Sequence, residues 1–346
     1  MKKKVILIRV NLSPKLGAGH FIRMIAFADL LKNSGYNINF ISSSENKESI
    51  NSILNDKYPI IFTDKSDALE DAKFIIDVAT KYTAKLVIFD GADFTEEYDI
   101  ILREAKLKTL HVVDVPKRVY SSDFVLNQNH RANDFDHLIG PNTTLLTGLK
   151  YLLLRDQFKV AKKTKLNSLR TEKIHLLICL SGGSLITDKM NETLLQALIT
   201  SKDLVDSVTI IFGKMGLITE KVKNMALKAP IEVNLMNHLD DISQEMRKAS
   251  FAITSGGTTM WELMFMQIPF IALALNTDQE NYLKLLKRDN ICEIMGDFDQ
   301  MTVSQVKENL KKFMKNKPLH QQFLKKTELL MDSAKTKNQI LTALNL

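Results

Sequence analysis

Residues 5–31 read VILIRVNLSPKLGAGHFIRMIAFADLL, and this stretch decides the fold. A β-branched, apolar run at 5–10 enters a loop containing Pro14, Gly17 and Gly19, and apolar residues then recur at helical spacing over 21–31. A nearly unbroken apolar strand is buried on both faces, which marks a parallel sheet covered by helices. The same pattern continues outward. Strand-like runs follow at 38–41, 60–62, 86–89 and 109–113, with a weaker one at 124–126 and a helical stretch at 68–79. It restarts at 174–180 and repeats at 208–212, 231–235, 251–254 and 270–273. Helical segments at 188–199, 220–227, 243–249, 259–266 and 281–288 separate these runs. The reading is α/β, with two doubly wound domains at 1–145 and 173–346. The linker is placed at 146–172, within a Pro-, Gly- and Lys-containing piece. The last C-terminal helix has the option of packing back on the first domain. Ligands of such sheets sit at the carboxyl ends of the strands, so a cleft between the two domains is the expected site.

The 346 residues are 45% hydrophobic and 25% charged, an ordinary globular balance. No apolar run reaches the ~18 residues of a membrane span. The basic start MKKK followed by a short apolar run superficially suggests a signal peptide, but Lys, Arg and Asn break the run and no small-residue cleavage site follows. Two cysteines, Cys179 and Cys292, do not make a disulfide scaffold, and the expectation is a cytoplasmic protein. The formal charge of +7 sits almost wholly in residues 301–346, where nine lysines face Glu308, Glu328 and Asp332. That pattern reads as solvated helices. No aromatic residues interleave with the lysines, so neither nucleic acid nor stable membrane insertion is expected, and a monomer is the default.

Glycines between a strand and a helix let the backbone approach an anion at the helix N-terminus. In the first such loop Gly17 and Gly19 precede His20, with Arg23 one turn on. A dinucleotide fingerprint needs a third glycine where Ile22 stands, and no acid closes the second strand, which ends at Ser42, Ser43 and Ser44. A P-loop also fails, because Gly213 and Lys214 precede Met215. His20, at the positive end of a helix, is expected to be neutral, with a pKa below ~6.5, and able to accept a proton. Its alternative role is packing the loop. The second domain carries Thr254-Ser255-Gly256-Gly257-Thr258-Thr259 ahead of Glu262, a set of uncharged donors suited to a diphosphate. Glu262 lies three residues after Thr259, which allows either a capping box or a contact to ribose hydroxyls. Gly182 and Gly183 form a further turn that suits the same phosphates. Asp278, Gln279 and Asn281 suit sugar hydroxyls or simply start a helix. The remaining histidines and the DFD pairs at 134–136 and 297–299 show no metal-ligand spacing, so no metal and no cofactor are expected.

The Gly-x-Gly-His loop together with Gly-Gly-Thr-Thr-x-x-Glu resembles the GT-B nucleotide-sugar enzymes. GAGHFIR at 17–23, DFVLNQN at 123–129, GLKYLLLRDQF at 148–158 and ITSGGTTMWE at 253–262 resemble more narrowly the UDP-sugar hydrolases of pseudaminic acid biosynthesis and their spore-coat polysaccharide relatives. The Gly-His loop is also shared with MurG-type glycosyltransferases. The resemblance implies two Rossmann-like domains of GT-B type. UDP would be held by Gly182, Gly183, Gly256, Gly257, Thr258, Thr259 and Glu262, and the sugar by Asn11, Gly19, Arg23, Asp90, Tyr151, Asp278, Gln279 and Asn281. It further implies that His20 activates water for inverting attack at the anomeric carbon. Departures from the family pattern are Asn11 for Asp, Gly91 and Ala92 after Asp90 where Asp-x-Tyr is usual, Asp114-Val115 for Asp-Asp, and Asp278-Gln279 for Asn-Gln. The activity so implied is hydrolysis of a UDP-activated deoxy-amino sugar, similar to UDP-2,4-diacetamido-2,4,6-trideoxy-β-L-altropyranose, to free sugar and UDP. The alternatives are a glycosyltransferase delivering that sugar to a glycan or lipid acceptor, and a non-catalytic nucleotide-sugar binder.

Overall fold

The computed structural model describes residues 4–346 apart from 13–17, 66, 92, 164–172, 181–184, 202–203, 214–215, 238, 240, 297–301 and 334–337. Two units emerge, Met1–Arg155 with Ser333–Leu346, and Asp156–Asp332.

In the first unit, β1 (Val5–Val10), β2 (Asn37–Ser43), β3 (Ile60–Thr63), β4 (Ala84–Asp90), β5 (Thr109–Val112), β6 (Phe124–Asn127) and β7 (Thr144–Thr147) form one sheet in the order β3-β2-β1-β4-β5-β6-β7. Every pairing is parallel. The connecting helices are α1 (Gly19–Asn33), α2 (Lys47–Leu54), α3 (Ala68–Tyr82) and α4 (Glu96–Glu104). Strand order reverses between β1 and β4, the switch point where neighbouring loops diverge and leave room for a ligand. Val10 pairs with Asp90, so the ends of these two strands are level. Phe21 stacks on Phe40 of β2 with ring centroids 5.5 Å apart. This contact fixes the start of α1 against the sheet, where His20 and Arg23 stand.

The second unit begins with α5 (Asp156–Lys163). Its sheet contains β8 (His175–Cys179), β9 (Ser207–Ile211), β10 (Glu232–Met236), β11 (Phe251–Ser255), β12 (Phe270–Leu273) and the two-residue β13 (Glu293–Ile294), in the order β10-β9-β8-β11-β12-β13. These pairings are parallel as well. Its helices are α6 (Leu185–Ile199), α7 (Glu220–Leu227), α8 (Ser243–Lys248), α9 (Thr259–Phe265), α10 (Thr277–Arg288), α11 (Val303–Lys315) and α12 (Lys317–Ser333). The switch point here lies between β8 and β11, so the loop after β11 occupies the position that the loop after β4 holds in the first unit. Finally α13 (Asn338–Ala343) belongs to the first unit, where Ile340 and Leu344 are buried and Lys108 Nζ donates to the Leu344 carbonyl at 2.5 Å.

The segment read as a linker at 146–172 is folded over much of its length. It includes the end of β7, a 3₁₀ turn at Leu149–Tyr151 and α5, while 164–172 lie outside the described residues. The sequence conceals this because TLLT is too short a run to stand out from its surroundings.

Candidate active site

The geometry at the first switch point is built from four side chains. His20 and Arg23 lie three apart on α1 and therefore share a face. Asp90 ends β4, and Asp114 lies just beyond β5. His20 Nδ1 is 2.7 Å from Asp90 Oδ1. Arg23 reaches the same carboxylate twice, Nε to Oδ2 at 2.8 Å and Nη2 to Oδ1 at 2.6 Å, and its Nη1 donates to Asp114 Oδ1 at 2.5 Å. The Asp90 side chain is 0% exposed and that of Arg23 2%, whereas His20 is 25% and Asp114 40% exposed.

These contacts decide the tautomer. Arg23 Nη2 also approaches His20 Nδ1, at 3.0 Å. An unprotonated Nδ1 would set its lone pair against a carboxylate oxygen at 2.7 Å, a repulsive arrangement. Nδ1–H donating to Asp90 removes that conflict, with Arg23 Nη2 donating to Asp90 Oδ1 at 2.6 Å, and leaves Nε2 as the lone-pair nitrogen. Burial favours neutral His20, but the Asp90 carboxylate acts against it through charge and hydrogen bond. Arg23 opposes that effect and Asp114 supports it, so the net result is a pKa raised from 6.5. This corrects the expectation of a lowered value. The helix end is outweighed by a carboxylate seventy residues further along the chain. Burial likewise works against the charge on Asp90, yet Arg23 and His20 hold its carboxyl well below the usual range. Arg23, flanked by Asp114 and Asp90, is held charged despite its burial.

Asp90 and Arg23 were expected to touch the sugar. Both are buried, and the oxygens of Asp90 are occupied by His20 and Arg23. Asn11 sits at the end of β1, where its Oδ1 accepts from Ser43 N at 3.0 Å and from the Arg9 guanidinium. A neutral amide suffices there, because Arg9 already pairs with the Asp71 carboxylate at 3.1 and 3.2 Å. Gly19 begins α1, half-buried beside His20, and no side chain caps that helix at Ala18. The Tyr151 ring lies against Lys150 Nζ at 5.0 Å, and among the described residues no hydrogen bond joins it to the His20 cluster.

Sequence reasoning notes Asp114 only as half of an altered Asp-Asp pair and misses what holds it. Asn127 Nδ2 and Asn129 Nδ2 both donate to the Asp114 carbonyl, at 3.0 and 3.2 Å, and both asparagines are buried. Two amides following a strand in DFVLNQN were the available signal.

At the second switch point β11 ends at Ser255, and Gly256, Gly257 and Thr258 lead into α9. A Cβ at Gly256 would lie 3.0 Å from Gln279 Cβ, a contact tight enough to favour glycine there. Gln279 Oε1 accepts from Leu275 N at 3.0 Å, and Asn276 caps α10 through Gln279 N. Gln279 therefore buttresses the glycine loop, with Asp278 half-buried and Asn281 exposed in the same helical turn. Thr259 and Glu262 do not form the capping box allowed by their spacing. Thr259 is already helical, and Thr258, the N-cap, makes no side-chain cap bond. Glu262 is buried at the fourth helical position. Gly182 and Gly183 lie outside the described residues. Among the described residues no group of three or more His, Cys, Asp or Glu is placed to hold a metal ion, and no helix is long and apolar enough to cross a membrane.

Two parallel, doubly wound α/β units, each with a glycine loop at its switch point, define the GT-B glycosyltransferase fold. Residues 177–340 match the model of the glycosyltransferase family 28 C-terminal domain. The uncharacterized protein MJ1062 of Methanocaldococcus jannaschii is 25% identical over 298 residues, 81% of this chain. The chain spans only 58% of that relative's length. Three solved structures align with nearly the whole chain. MurG of Acinetobacter baumannii does so with TM-score 0.65 and 15% identity, covering 99% of each chain. The spinosyn forosaminyltransferase SpnP gives 0.68 and 12%, covering 100% of this chain and 99% of its own. The S. aureus MnaA–UDP co-structure gives 0.63 and 15%, covering 99% and 97%.

Proposed function

We propose that this protein hydrolyses a UDP-activated deoxy-amino sugar, of the kind consumed in pseudaminic acid or surface-polysaccharide biosynthesis, to the free sugar and UDP. The observation that carries the reading is the His20 Nδ1–Asp90 contact at 2.7 Å, with the carboxylate wholly buried. A histidine so held offers Nε2 to a nucleophile in a fixed orientation, and its buried partner stabilises the imidazolium that forms. Nε2 takes a proton from water as the water oxygen attacks the anomeric carbon. The bond from that carbon to the β-phosphate oxygen breaks on the opposite face, giving inversion and releasing UDP. Asp90 orients the ring and Arg23 keeps Asp90 ionised. The loop Ser255–Thr259 offers backbone N–H and hydroxyl donors to the diphosphate, and Glu262 takes the ribose hydroxyls. The uridine assignment draws on the motif resemblance and on the fold shared with a protein seen bound to UDP.

Water as the nucleophile draws on the Tyr-x-Leu-Leu-Arg-x-x-Phe element at 151–158. A second reading, sugar transfer to an acceptor hydroxyl, is favoured by the family 28 match and the likeness to SpnP. Incubating the protein with a panel of UDP-sugars and no acceptor separates the two. Stoichiometric UDP and reducing sugar at catalytic rates are expected, and UDP release only upon addition of an acceptor would overturn hydrolysis. The nucleotide assignment is checked by calorimetry with UDP alone. Thr259→Ala and Glu262→Ala are each expected to weaken UDP by ~1–2 kcal/mol, the worth of one or two buried hydrogen bonds. His20→Ala should leave UDP affinity nearly unchanged. The reverse pattern would place the nucleotide on the wrong loop.

A further inference from the structure

Asp114 is the carboxylate of the cluster to which the proposed chemistry gives no part. Its position is built rather than accidental. Two buried asparagines, Asn127 and Asn129, grip its carbonyl, while its carboxylate takes Arg23 Nη1 at 2.5 Å. Arg23 is thereby shared between two carboxylates. Among the described residues, the charged groups facing the His20 ring are Arg23 from its own helix, Asp90 from the end of β4 and Asp114 from beyond β5. With neutral His20 these sum to one negative charge, and protonation of His20 brings the cluster to neutrality. Without Asp114 the same protonation would leave a net positive charge in a largely buried site, with the guanidinium 3.0 Å from the ring nitrogen. Such an unbalanced charge is strongly disfavoured away from water.

We infer that Asp114 is a positioning residue for proton transfer, which offsets the Arg23 charge beside His20 so that the buried Asp90 carboxylate can hold the imidazolium. The inference rests on the reading of His20 as base for its catalytic meaning, but its physical content is separable. Asp114→Asn is the informative variant, because its amide oxygen still accepts from Arg23 Nη1 while the charge is gone. The titration midpoint of the His20 imidazole is followed by ¹⁵N NMR in the free protein. In Asp114→Asn it is expected to fall, because a charge that favours the imidazolium is gone. Asp114→Glu should stay near wild type, and the acid limb of kcat/KM should move in parallel with the midpoint. A merely structural role for Asp114 would lower activity without moving the midpoint. If Asp114→Asn does not fold, Asp114→Ser carries the same comparison.

An unchanged midpoint in the uncharged variant overturns the inference, as does a Glu variant that falls as far as Asn. A shifted midpoint in a protein that turns over no UDP-sugar would sink the hydrolase reading and leave this one standing. Normal turnover with an unmoved midpoint would sink this one alone.

Discussion

His20→Ala is expected to lower kcat by ~10²–10⁴-fold, the contribution of a positioned general base, with little change in KM. The imidazole meets the attacking water rather than the nucleotide, so ground-state binding survives its removal. The pH profile adds a signed test. Neutral imidazole is the active form, so activity falls as pH drops through the His20 pKa. Because the Asp90 contact raises that pKa from 6.5, the acid limb of kcat/KM should lie above this value in the wild-type protein and vanish in the variant. Circular dichroism should report an intact fold, since the side chain is partly exposed and lies outside both cores. A variant retaining near-full turnover from pH 5 to 8 would reject the base. Asp278 would then be the carboxylate to mutate next, because Asp90 is wholly buried and paired.

Much of the fold is legible in the sequence because parallel strands buried on both faces leave continuous apolar runs, as in VILIRV and HLLIC. The pattern fails at sheet edges, where β7 and β13 are short and carry too few residues to register. The candidate site is only half legible. Local spacing singles out His20 beside its glycines, but no local pattern says which acid 70 residues away will face it. Parallel register supplies that answer by levelling Val10 with Asp90 across adjacent strands. The same blindness reverses the sign of the His20 shift, since a helix end is visible in sequence and a partner carboxylate is not. Arg23 shows the same dependence on distant partners. The resemblance implies a sugar contact for Arg23, and here its guanidinium is buried between two carboxylates of its own chain. Pairing, not residue type, distinguishes a ligand-binding arginine from one that holds the machinery.

Asp90→Asn should bring the second large effect, on turnover and on stability together. An amide can turn its Nδ2 toward His20 Nδ1, which forces the proton onto Nε2 and removes the base. Loss of the correct tautomer costs as much as ~10⁴-fold in kcat where an Asp–His pair works this way. A buried Arg23 also loses its bidentate partner. Breaking such a pair costs about 3–5 kcal/mol, and Asp114 holds the variant toward the low end of that range. The pH dependence of the loss can be signed from the two shifts. His20 has a raised folded pKa, so its contribution is full below ~6.5 and disappears as pH rises through the folded value. Asp90 has a lowered folded pKa, so its contribution is full above ~3.9 and disappears as pH falls toward the folded value. The deficit of Asp90→Asn relative to wild type should therefore be larger at pH 5 than at pH 8.5, and shrink again in strong acid. Urea unfolding must be followed by far-UV circular dichroism, because the single tryptophan, Trp261, lies in α9 of the other unit and would report the wrong transition. A deficit independent of pH between 5 and 8.5 would mean that the Asp90 carboxylate does not hold a protonated His20. The contact at 2.7 Å would then be simple packing, and His20 would lose its claim to the proton.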